Sequence, residues 1–564
     1  MEALPIAVIG AGPVGLAAAA HLAERGMPFV VLEASAEVAA SFASVAHVRL
    51  FSPWRMNVDA AAVRLLEERG WSAPDPDALP TAGEMRSRYL EPLAAHPAIA
   101  PSLRLATRVE AVTRRGHHKV SSKGREEAPF VLRLRGPGGP SELLARAVVD
   151  ASGTWSTPSP LGMGGIPAVG EHELAARVAY GMPDVLGAAR ARYAGKRVLV
   201  VGGGHSAAGT ILALAELARS EPATSIAWAV RGRDLTRLFG GGASDGLPAR
   251  GALGTTLRAL VERGALEIHT STQIRALEPR GRRVDAIGER EGEEVRIEGV
   301  DEIVAATGTR PDLSITRELR LGLDPWIEST RALAPLIDPN LHSCGSVPPH
   351  GHRELEHPEP DYFAVGAKSY GRAPNFLLAT GYEQARSVVA RLAGELTAAD
   401  DVQLVLPETG VCVTDFEGGE EAASCCAPVA SVDAAASCCA PPQREHRAPP
   451  PEVQRAACCS PTPPTRARRV LRVSSDVGGF TAARASARGR ARPAGSRGPR
   501  RGPDRGVGDL YYAIAVLGPA IATGARAHHG RGPRRADGGA RHGRRAPARS
   551  WAGSAIASAR APCW

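Results

Sequence analysis

Two stretches of this sequence repeat one pattern: a short apolar run, a glycine-rich turn and an alanine-rich helical segment. The first begins IAVIGAGPVG at residue 6, and the second begins RVLVVGGGHSA at residue 197. In a Gly-x-Gly-x-x-Gly turn, the first glycine permits a tight turn, the second lets a ligand approach the backbone, and the third lets the helix pack on the strand. The pattern predicts an α/β fold class with two Rossmann-like units, each opened by a parallel β-α-β segment.

In the first unit, the glycines are Gly10, Gly12 and Gly15, and a second apolar run, FVVLE, ends at Glu33. The free N–H groups and the positive dipole end of a helix N-terminus favour a pyrophosphate at such a turn. A carboxylate at the end of the second strand accepts hydrogen bonds from a ribose 2′-OH. These residues therefore predict a dinucleotide site.

The second unit differs at two points. Ala207 stands where the third glycine is expected, and arginines rather than an acid follow its second strand, at Arg231 and Arg233. A guanidinium suits a ribose 2′-phosphate, which an acid would repel. NADPH is therefore preferred to NADH for this site, with two surface arginines as the plain alternative.

Each glycine motif is followed later in the chain by a turn of small residues and glycine, at Gly153 and Gly308, which are further candidate cofactor-binding residues. Two dinucleotide units in one chain predict two nucleotides, and a flavin with a nicotinamide reductant is the economical pair. FAD is assigned to the first site, because Glu33 there discriminates against a 2′-phosphate.

The stretches GAGPVG, DASGTW with STPSPLG, VVGGGHSA and AATGTRPD carry a family resemblance over roughly residues 4–396. The chain resembles the flavoproteins with two dinucleotide-binding domains, in particular those like flavin-containing monooxygenases. The resemblance implies an FAD domain with an inserted NADPH domain, and transfer of hydride from NADPH to flavin and on to oxygen or a small substrate. It further implies the residues that hold the two cofactors: for FAD, Gly10, Gly12, Gly15, Glu33, Val109, Gly366 and Ala367; for NADPH, Gly202, Gly204, His205, Ser206 and Arg231.

The sequence leaves oxygenase and reductase chemistry open. The monooxygenase fingerprint Phe-x-Gly-x-x-x-His is missing before the second glycine motif, and residues 1–411 hold one cysteine, Cys344, so no Cys-x-x-Cys pair can lie beside the flavin. By position in the loop HVRLFSPWRMN, Arg49, Trp54 and Asn57 are candidate catalytic residues. Asn57 corresponds loosely to an asparagine that steadies the oxygenated flavin in related enzymes. Ordinary packing is the alternative for Arg49 and Trp54.

Further stretches, among them KSYGRAPNFLLATGYEQ, resemble a bacterial subgroup encoded beside arsenic-resistance genes, whose members carry terminal Cys-Cys pairs. The resemblance implies a role in arsenic or antimony detoxification. This chain has three such pairs, at Cys425, Cys426, Cys438, Cys439, Cys458 and Cys459.

Adjacent cysteines make poor disulfides with each other. Their Cα atoms are about 3.8 Å apart, whereas relaxed disulfides need roughly 4.4–6.8 Å. Thiolates are soft ligands, so trivalent arsenic or antimony, zinc or copper(I) would each fit, and incidental thiols in a biased linker remain the alternative. A second function class stays open: a metalloid-binding sensor or chaperone with a flavoprotein core.

The histidines near Cys344 form another, weaker candidate for soft-metal binding. His342, His350 and His352 share the segment HSCGSVPPHGH with that cysteine. The spacing matches no standard zinc pattern, so a polar loop is the preferred interpretation.

Charge and composition divide the chain. Residues 465–564 hold 21 arginines and four aspartates, so their charge of +17 leaves the rest of the chain at −8 although the total is +9. A basic, structureless tail and out-of-frame translation of GC-rich DNA would both give this composition. The predicted organisation is an FAD-binding part at 1–165, an inserted NAD(P)H-binding domain at 185–312, a second FAD-binding part at 313–400, a dithiol segment at 401–465 and a basic tail at 466–564.

The expected setting follows from what the sequence lacks. We expect a cytoplasmic protein, because no secretory signal is recognised and its scattered thiols suit a reducing compartment. No membrane span is expected, because no run of 18 apolar residues occurs. A small-molecule substrate is expected, and no nucleic-acid partner, because the basic character is confined to the tail.

Overall fold

A computed structural model describes residues 4–342 and 347–404. All of these residues belong to a unit that spans Met1–Val432, and a second unit, Asp433–Trp564, lies outside the described residues. The strands are β1 Ile6–Ile9, β2 Phe29–Leu32, β3 Leu103–Arg104, β4 Arg108–Arg114, β5 Phe130–Gly136, β6 Gly139–Ala145, β7 Ala147–Asp150, β8 Val178–Tyr180, β9 Arg197–Val201, β10 Ser225–Ala229, β11 Glu267–His269, β12 Gln273–Arg280, β13 Arg283–Arg290, β14 Glu293–Val300, β15 Glu302–Ala305 and β16 Tyr362–Ala364.

The α-helices are α1 Pro13–Glu24, α2 Ala40–Ser44, α3 Ala60–Glu67, α4 Ala82–Met85, α5 Glu91–Ala94, α6 Arg190–Tyr193, α7 His205–Ser220, α8 Pro248–Glu262, α9 Ala334–Ile337, α10 His352–Leu355, α11 Leu378–Ala393 and α12 Leu396–Asp400. Single 3-10 turns lie at Trp54–Met56, Ala100–Ser102, Met163–Gly165, Ala175–Arg177, Thr236–Phe239, Gly242–Ser244, Ser314–Thr316 and Gly366–Lys368, and one π-helical turn lies at Arg86–Leu90.

The first parallel sheet has the strand order β16-β7-β1-β2-β3. Its central strand, β1, pairs in parallel with β2 and with β7. The edge strand β16 comes from the far end of the described chain and pairs with β7. The chain therefore leaves this sheet, builds a second one and returns, which confirms the predicted α/β class with one Rossmann-like unit inserted in the other.

The second parallel sheet has the order β11-β10-β9-β15-β8. It takes its first strand at Val178, upstream of residue 185, where the inserted domain was placed from sequence. The predicted domain bounds stay predictions, and residues 405–564, which include the paired cysteines and the basic tail, lie outside the described residues.

Alternating side chains explain why each parallel sheet is buried on both faces. In β1, Ile6 and Val8 pack with the helices, while Ala7 and Ile9 pack against an antiparallel sheet of β4, β5 and β6. The second sheet repeats the arrangement with the antiparallel sheet β12, β13 and β14. Strands covered on both sides read as continuous apolar runs, which is why the sequence shows IAVI and VLVV there.

A buried carboxylate fastens the start of β16 to the antiparallel sheet. Glu359 accepts hydrogen bonds from Arg114 Nε at 2.8 Å and Arg125 Nη2 at 2.7 Å, and all three side chains are nearly inaccessible to water. Burial alone would raise the pKa of Glu359, but its bonds to Arg125, the Arg320 amide and Arg114 lower it below its ordinary value. The folded protein therefore favours the ionised form of Glu359.

Within the described ranges, no helix has the length and apolar character needed to cross a bilayer.

Replacing Glu359 by alanine is expected to destabilise the fold by about 3–5 kcal/mol, because two buried guanidinium groups lose their shared partner. Urea unfolding measures the effect. Because folding lowers the pKa of Glu359, its contribution is present above roughly pH 4.3, the unfolded value, and is lost as the pH falls below it.

The control is Glu142→Ala, which removes an exposed partner of Arg133. Exposed ion pairs contribute about 0–1 kcal/mol, so this variant should unfold close to wild type. Equal losses in the two variants would contradict the account.

Candidate functional site

The first glycine turn is close-packed at two of its three glycines. Gly10 has a φ of +99°, and a Cβ there would lie 2.7 Å from the carbonyl oxygen of Ala151, which follows β7. A Cβ on Gly15 would lie 2.0 Å from the carbonyl oxygen of Gly10. These two positions let helix α1 and strand β7 close on the turn, as the sequence predicted for the first and third glycines.

Gly12, the second glycine of the turn, has open space beside it instead of close packing. It caps the N-terminus of α1 with an extended backbone at a φ of −80°, and no described atom lies within 4 Å of the position its Cβ would take. The space in front of the helix N-terminus is therefore open, and unpaired backbone N–H groups of the first helical turn face it. This combination fits the pyrophosphate of a dinucleotide.

Glu33 is tied to this turn by both carboxylate oxygens. They accept the N–H of Ala11 and the N–H of Ser35, each at 2.8 Å. The carbonyl oxygen of Glu33 accepts the N–H of Thr107 at 2.7 Å, which brings the start of β4, with buried Val109, to the same end of the sheet. The predicted adenosine-side residues therefore lie on neighbouring segments.

The returning chain supplies the other end of this site. Gly366 has a φ of +71°, donates its N–H to Gln384 Oε1 at 2.8 Å, and faces Val14 of α1, which a Cβ would meet at 3.2 Å. Ala367, which is partly exposed, follows in the same 3-10 turn. The predicted flavin-side residues thus lie against the first glycine helix.

A buried ion pair lies beside Gly366 and Ala367, and sequence reasoning did not predict it. Lys368 Nζ lies 2.7 Å from Asp150 Oδ2 and donates to Ser152 Oγ at 2.9 Å, and Tyr362 donates its hydroxyl to Asp150 at 2.9 Å. Burial would raise the pKa of Asp150, but Lys368 and Ser152 bring it below its ordinary value. The partners lie on opposite sides of the second glycine motif, so no local pattern could have joined them.

The second glycine turn has the geometry of the first. Gly202 has a φ of +136°, and a Cβ would lie 2.2 Å from the carbonyl oxygen of Ala306, which follows β15. Gly204 caps α7 and faces open space, and His205 and Ser206 form the first turn of that helix. Both glycine motifs therefore present a helix N-terminus to open space.

The arginines predicted to select a 2′-phosphate follow β10 and are exposed. Arg233 forms a surface ion pair with Glu291 at 2.7 Å. Arg231 likewise has an exposed side chain beyond the end of the strand. Their role in binding stays a prediction.

The two later small-residue turns meet each other. The hydroxyl groups of Thr154 and Thr309 lie 2.8 Å apart, and Ser159 donates its N–H to the carbonyl oxygen of Gly308 at 2.9 Å. Gly153 and Gly308 have φ values of +67° and +85°, with open space where a Cβ would be. These contacts join the two segments by which the chain passes between the sheets.

Of the candidate catalytic residues, Asn57 is wholly buried. Its Nδ2 donates to the carbonyl oxygens of Ser52 at 2.8 Å and Pro53 at 2.9 Å, and its Oδ1 accepts the Ser52 hydroxyl at 3.0 Å. The amide thus holds its own loop in shape. Direct contact with a flavin stays a prediction, and the geometry favours a positioning role.

Trp54 and Arg49 differ in their surroundings. Trp54 is buried, with the guanidinium of Arg88 located 5.7 Å from its ring centre. Arg49 is exposed and donates to the carbonyl oxygen of Leu79 at 2.6 Å. The structure therefore gives both residues packing contacts, and their catalytic roles stay predictions.

The same loop touches the second dinucleotide unit through Phe51, a contact that sequence reasoning missed. The Phe51 ring centre lies 5.2 Å from that of His205, the first residue of α7, and 6.0 Å from the guanidinium carbon of Arg250. Arg250 is itself buried in an ion pair with Asp245 at 2.7 Å. Phe51 thus joins the predicted flavin pocket to the helix that opens the second site.

The six paired cysteines predicted to bind a metalloid, and Cys344, lie outside the described residues. Among the residues that are described, no group of three or more His, Cys, Asp or Glu side chains could hold a metal. His350 and His352 have ordinary partners instead, Gln384 at 3.1 Å and Asp400 at 2.9 Å.

Replacing Gly12 by alanine should impair ligand binding, whereas replacing Gly15 by alanine should impair folding. Gly12→Ala is expected to fold, because its backbone is extended and its Cβ has room, but to lose dinucleotide binding at least tenfold, because the methyl group enters the cleft. Gly15→Ala should fold poorly, because its Cβ collides with the turn. Thermal unfolding and flavin content of the purified variants separate the two.

Gly209→Ala is the matched control, since this glycine lies inside α7 with open space around it. That variant should be as stable as wild type or more so, by up to about 1 kcal/mol, and should keep its flavin. Full flavin content in Gly12→Ala would refute the assignment of this cleft.

The fold is similar to that of several solved enzymes. It matches bacillithiol disulfide reductase from Bacillus cereus at 19% identity and a TM-score of 0.50, covering 70% of this chain and 100% of that chain. The corresponding enzyme from Staphylococcus aureus matches at 15% identity and a TM-score of 0.50, covering 70% and 99%. A cadaverine monooxygenase from Erwinia amylovora, solved with FAD, matches at 14% identity and a TM-score of 0.49, covering 74% and 100%.

A comparison with curated proteins found no match. The family comparison did: residues 7–344 match the model described as pyridine nucleotide-disulphide oxidoreductase. The match spans both glycine turns and more than half of the chain. It confirms the predicted enzyme class, an FAD-dependent oxidoreductase with a pyridine nucleotide as second cofactor, and the protein belongs to the pyridine nucleotide-disulphide oxidoreductase family.

Proposed function

We propose that this protein is an FAD-dependent NADPH oxidoreductase of the monooxygenase-like kind, acting in the detoxification of arsenic or antimony. The contact between Phe51 and His205 is the observation that supports the two-cofactor part most directly. It joins the loop of the predicted flavin pocket to the helix that would bind the NADPH pyrophosphate. This contact supports two proposed sites that share a boundary, as transfer between bound cofactors would require.

Charge assigns the cofactors to their sites. Glu33 presents a carboxylate at the end of β2, which suits the ribose hydroxyls of FAD and repels a 2′-phosphate. After β10 the exposed side chains are Arg231 and Arg233, which would attract a 2′-phosphate. The first site is proposed for FAD and the second for NADPH.

When bound, FAD would accept hydride from NADPH and pass electrons to oxygen or to a small substrate. The residues of this chain would bind and orient the two cofactors. The N-termini of α1 and α7 would attract the two pyrophosphates, with open space at Gly12 and Gly204. The loop held in shape by buried Asn57 would shield the flavin side from water.

The electron acceptor is proposed to be oxygen or a small molecule rather than a dithiol of this chain beside the flavin. No Cys-x-x-Cys motif occurs anywhere in the sequence. The missing Phe-x-Gly-x-x-x-His fingerprint leaves the choice between oxygenase and reductase to experiment.

The metalloid part of the proposal is supported by the sequence. Three Cys-Cys pairs on a segment rich in alanine and proline offer soft thiolate ligands to trivalent arsenic or antimony. Two pairs on one segment can converge on a single ion at a modest entropic cost of loop closure. In this proposal the arsenic or antimony species is a substrate or cargo of the protein.

Reversing the charge of Arg231 should shift the choice of nicotinamide. Arg231→Glu is expected to lower kcat/KM for NADPH at least tenfold and to change that for NADH much less, because only NADPH carries the 2′-phosphate. Steady-state oxidation of both nucleotides measures the ratio. Arg219→Glu, at an exposed position near the end of α7, is the matched control and should leave the ratio unchanged.

A second experiment tests the metalloid role. NADPH consumption and peroxide release are followed with arsenite, antimonite and methylarsenicals, in wild type and in a variant with the six paired cysteines changed to serine. We expect one of these species to raise NADPH consumption in wild type, and the serine variant to bind it at least tenfold more weakly. Equal metalloid affinity in the two proteins would refute the role of the pairs.

A further inference from the structure

Lys368 is the buried exception among the four lysines of this chain. Lys119, Lys123 and Lys196 are exposed, whereas Lys368 is 3% exposed. Burying an ammonium group costs several kcal/mol unless it is well paired, so its position calls for a physical reason. Asp150 supplies part of that reason, with its carboxylate 2.7 Å away.

The ammonium lies where two segments of the first dinucleotide site meet. Its second partner, Ser152, is in direct contact with the first glycine turn: the Ser152 Cα would lie 3.1 Å from a Cβ on Gly10. Lys368 itself ends the 3-10 turn that begins at Gly366, and Gly366 faces Val14 of α1. Lys368 thus links the segment after β7, which packs on the first glycine turn, to the turn at Gly366, which packs on α1.

The hydrogen bonds around the pair are unequal. Asp150 Oδ1 accepts both the N–H and the hydroxyl of Ser152, and Oδ2 accepts the Tyr362 hydroxyl and faces Lys368. The carboxylate is therefore saturated. An ammonium group has three donors, and within the described chain Asp150 and Ser152 account for two of them.

We propose that Lys368 is a cofactor-contacting residue, whose third N–H donates to an oxygen of bound FAD while Asp150 and Ser152 fix the ammonium in place. The proposal rests on FAD binding at the first site and deepens it. It also accounts for a buried lysine in a chain that otherwise relies on arginine, because a compact ammonium fits between two tight turns where a planar guanidinium needs more room.

The alternative is a purely structural ion pair, and a charge-neutral double variant separates the two. Lys368→Met alone leaves a buried, unpaired carboxylate, which would harm folding under either account. The double variant Asp150→Asn/Lys368→Met removes both charges. The new amide oxygen can take the place of Oδ1 and accept from Ser152, while the amide NH2 in the place of Oδ2 can donate to the Tyr362 hydroxyl. Flavin is removed from each purified protein, FAD is titrated back, and thermal unfolding of the apoprotein checks the fold.

The proposal predicts that the double variant folds but binds FAD at least tenfold more weakly than wild type. Lys196→Met, the same substitution at an exposed lysine, should bind FAD as wild type does. A folded double variant with wild-type FAD affinity would overturn the proposal. If wild type itself binds no FAD, the proposed function fails instead, so the two failures are distinguishable.

Discussion

The close packing of a helix N-terminus onto a strand end, through glycine, is the constraint on which this structure depends. A side chain at Gly10 or at Gly202 would collide with the carbonyl oxygen of the residue that follows the neighbouring strand. Because glycine has no side chain, the turn can pack this closely, and a helix N-terminus then faces the carboxyl edge of a parallel sheet. The open space at Gly12 and Gly204 is the consequence, and it is where anionic ligands are stabilised by backbone N–H groups.

Buried charges then hold the segments around these turns in place. Asp150 and Lys368 join the strand next to the first glycine turn to the returning chain. Glu359 joins that same returning chain to the antiparallel sheet through two arginines. Such pairs add little stability over apolar packing, but removing one partner leaves an uncompensated buried charge and is strongly destabilising.

Local features were predicted from the sequence, and contacts between distant segments were not. In each unit the glycine turn and the two strands beside it lie within about thirty residues of one another, and Glu33 ends the second strand of the first unit. Periodicity and spacing therefore sufficed to predict them. The partners in the Asp150–Lys368, Phe51–His205 and Thr154–Thr309 contacts are separated by whole domains. Asn57 shows a third case: its partners lie four and five residues away, so a side-chain-capped turn could have been inferred from Ser52 and Pro53 alone.

The most direct test of the central claim is an anaerobic titration of the purified protein with NADPH, followed by flavin absorbance. The account predicts about one FAD per chain, bleached by about one equivalent of NADPH and far less readily by NADH. A colourless protein that FAD cannot reconstitute, or a bound flavin that NADPH leaves oxidised, would contradict it.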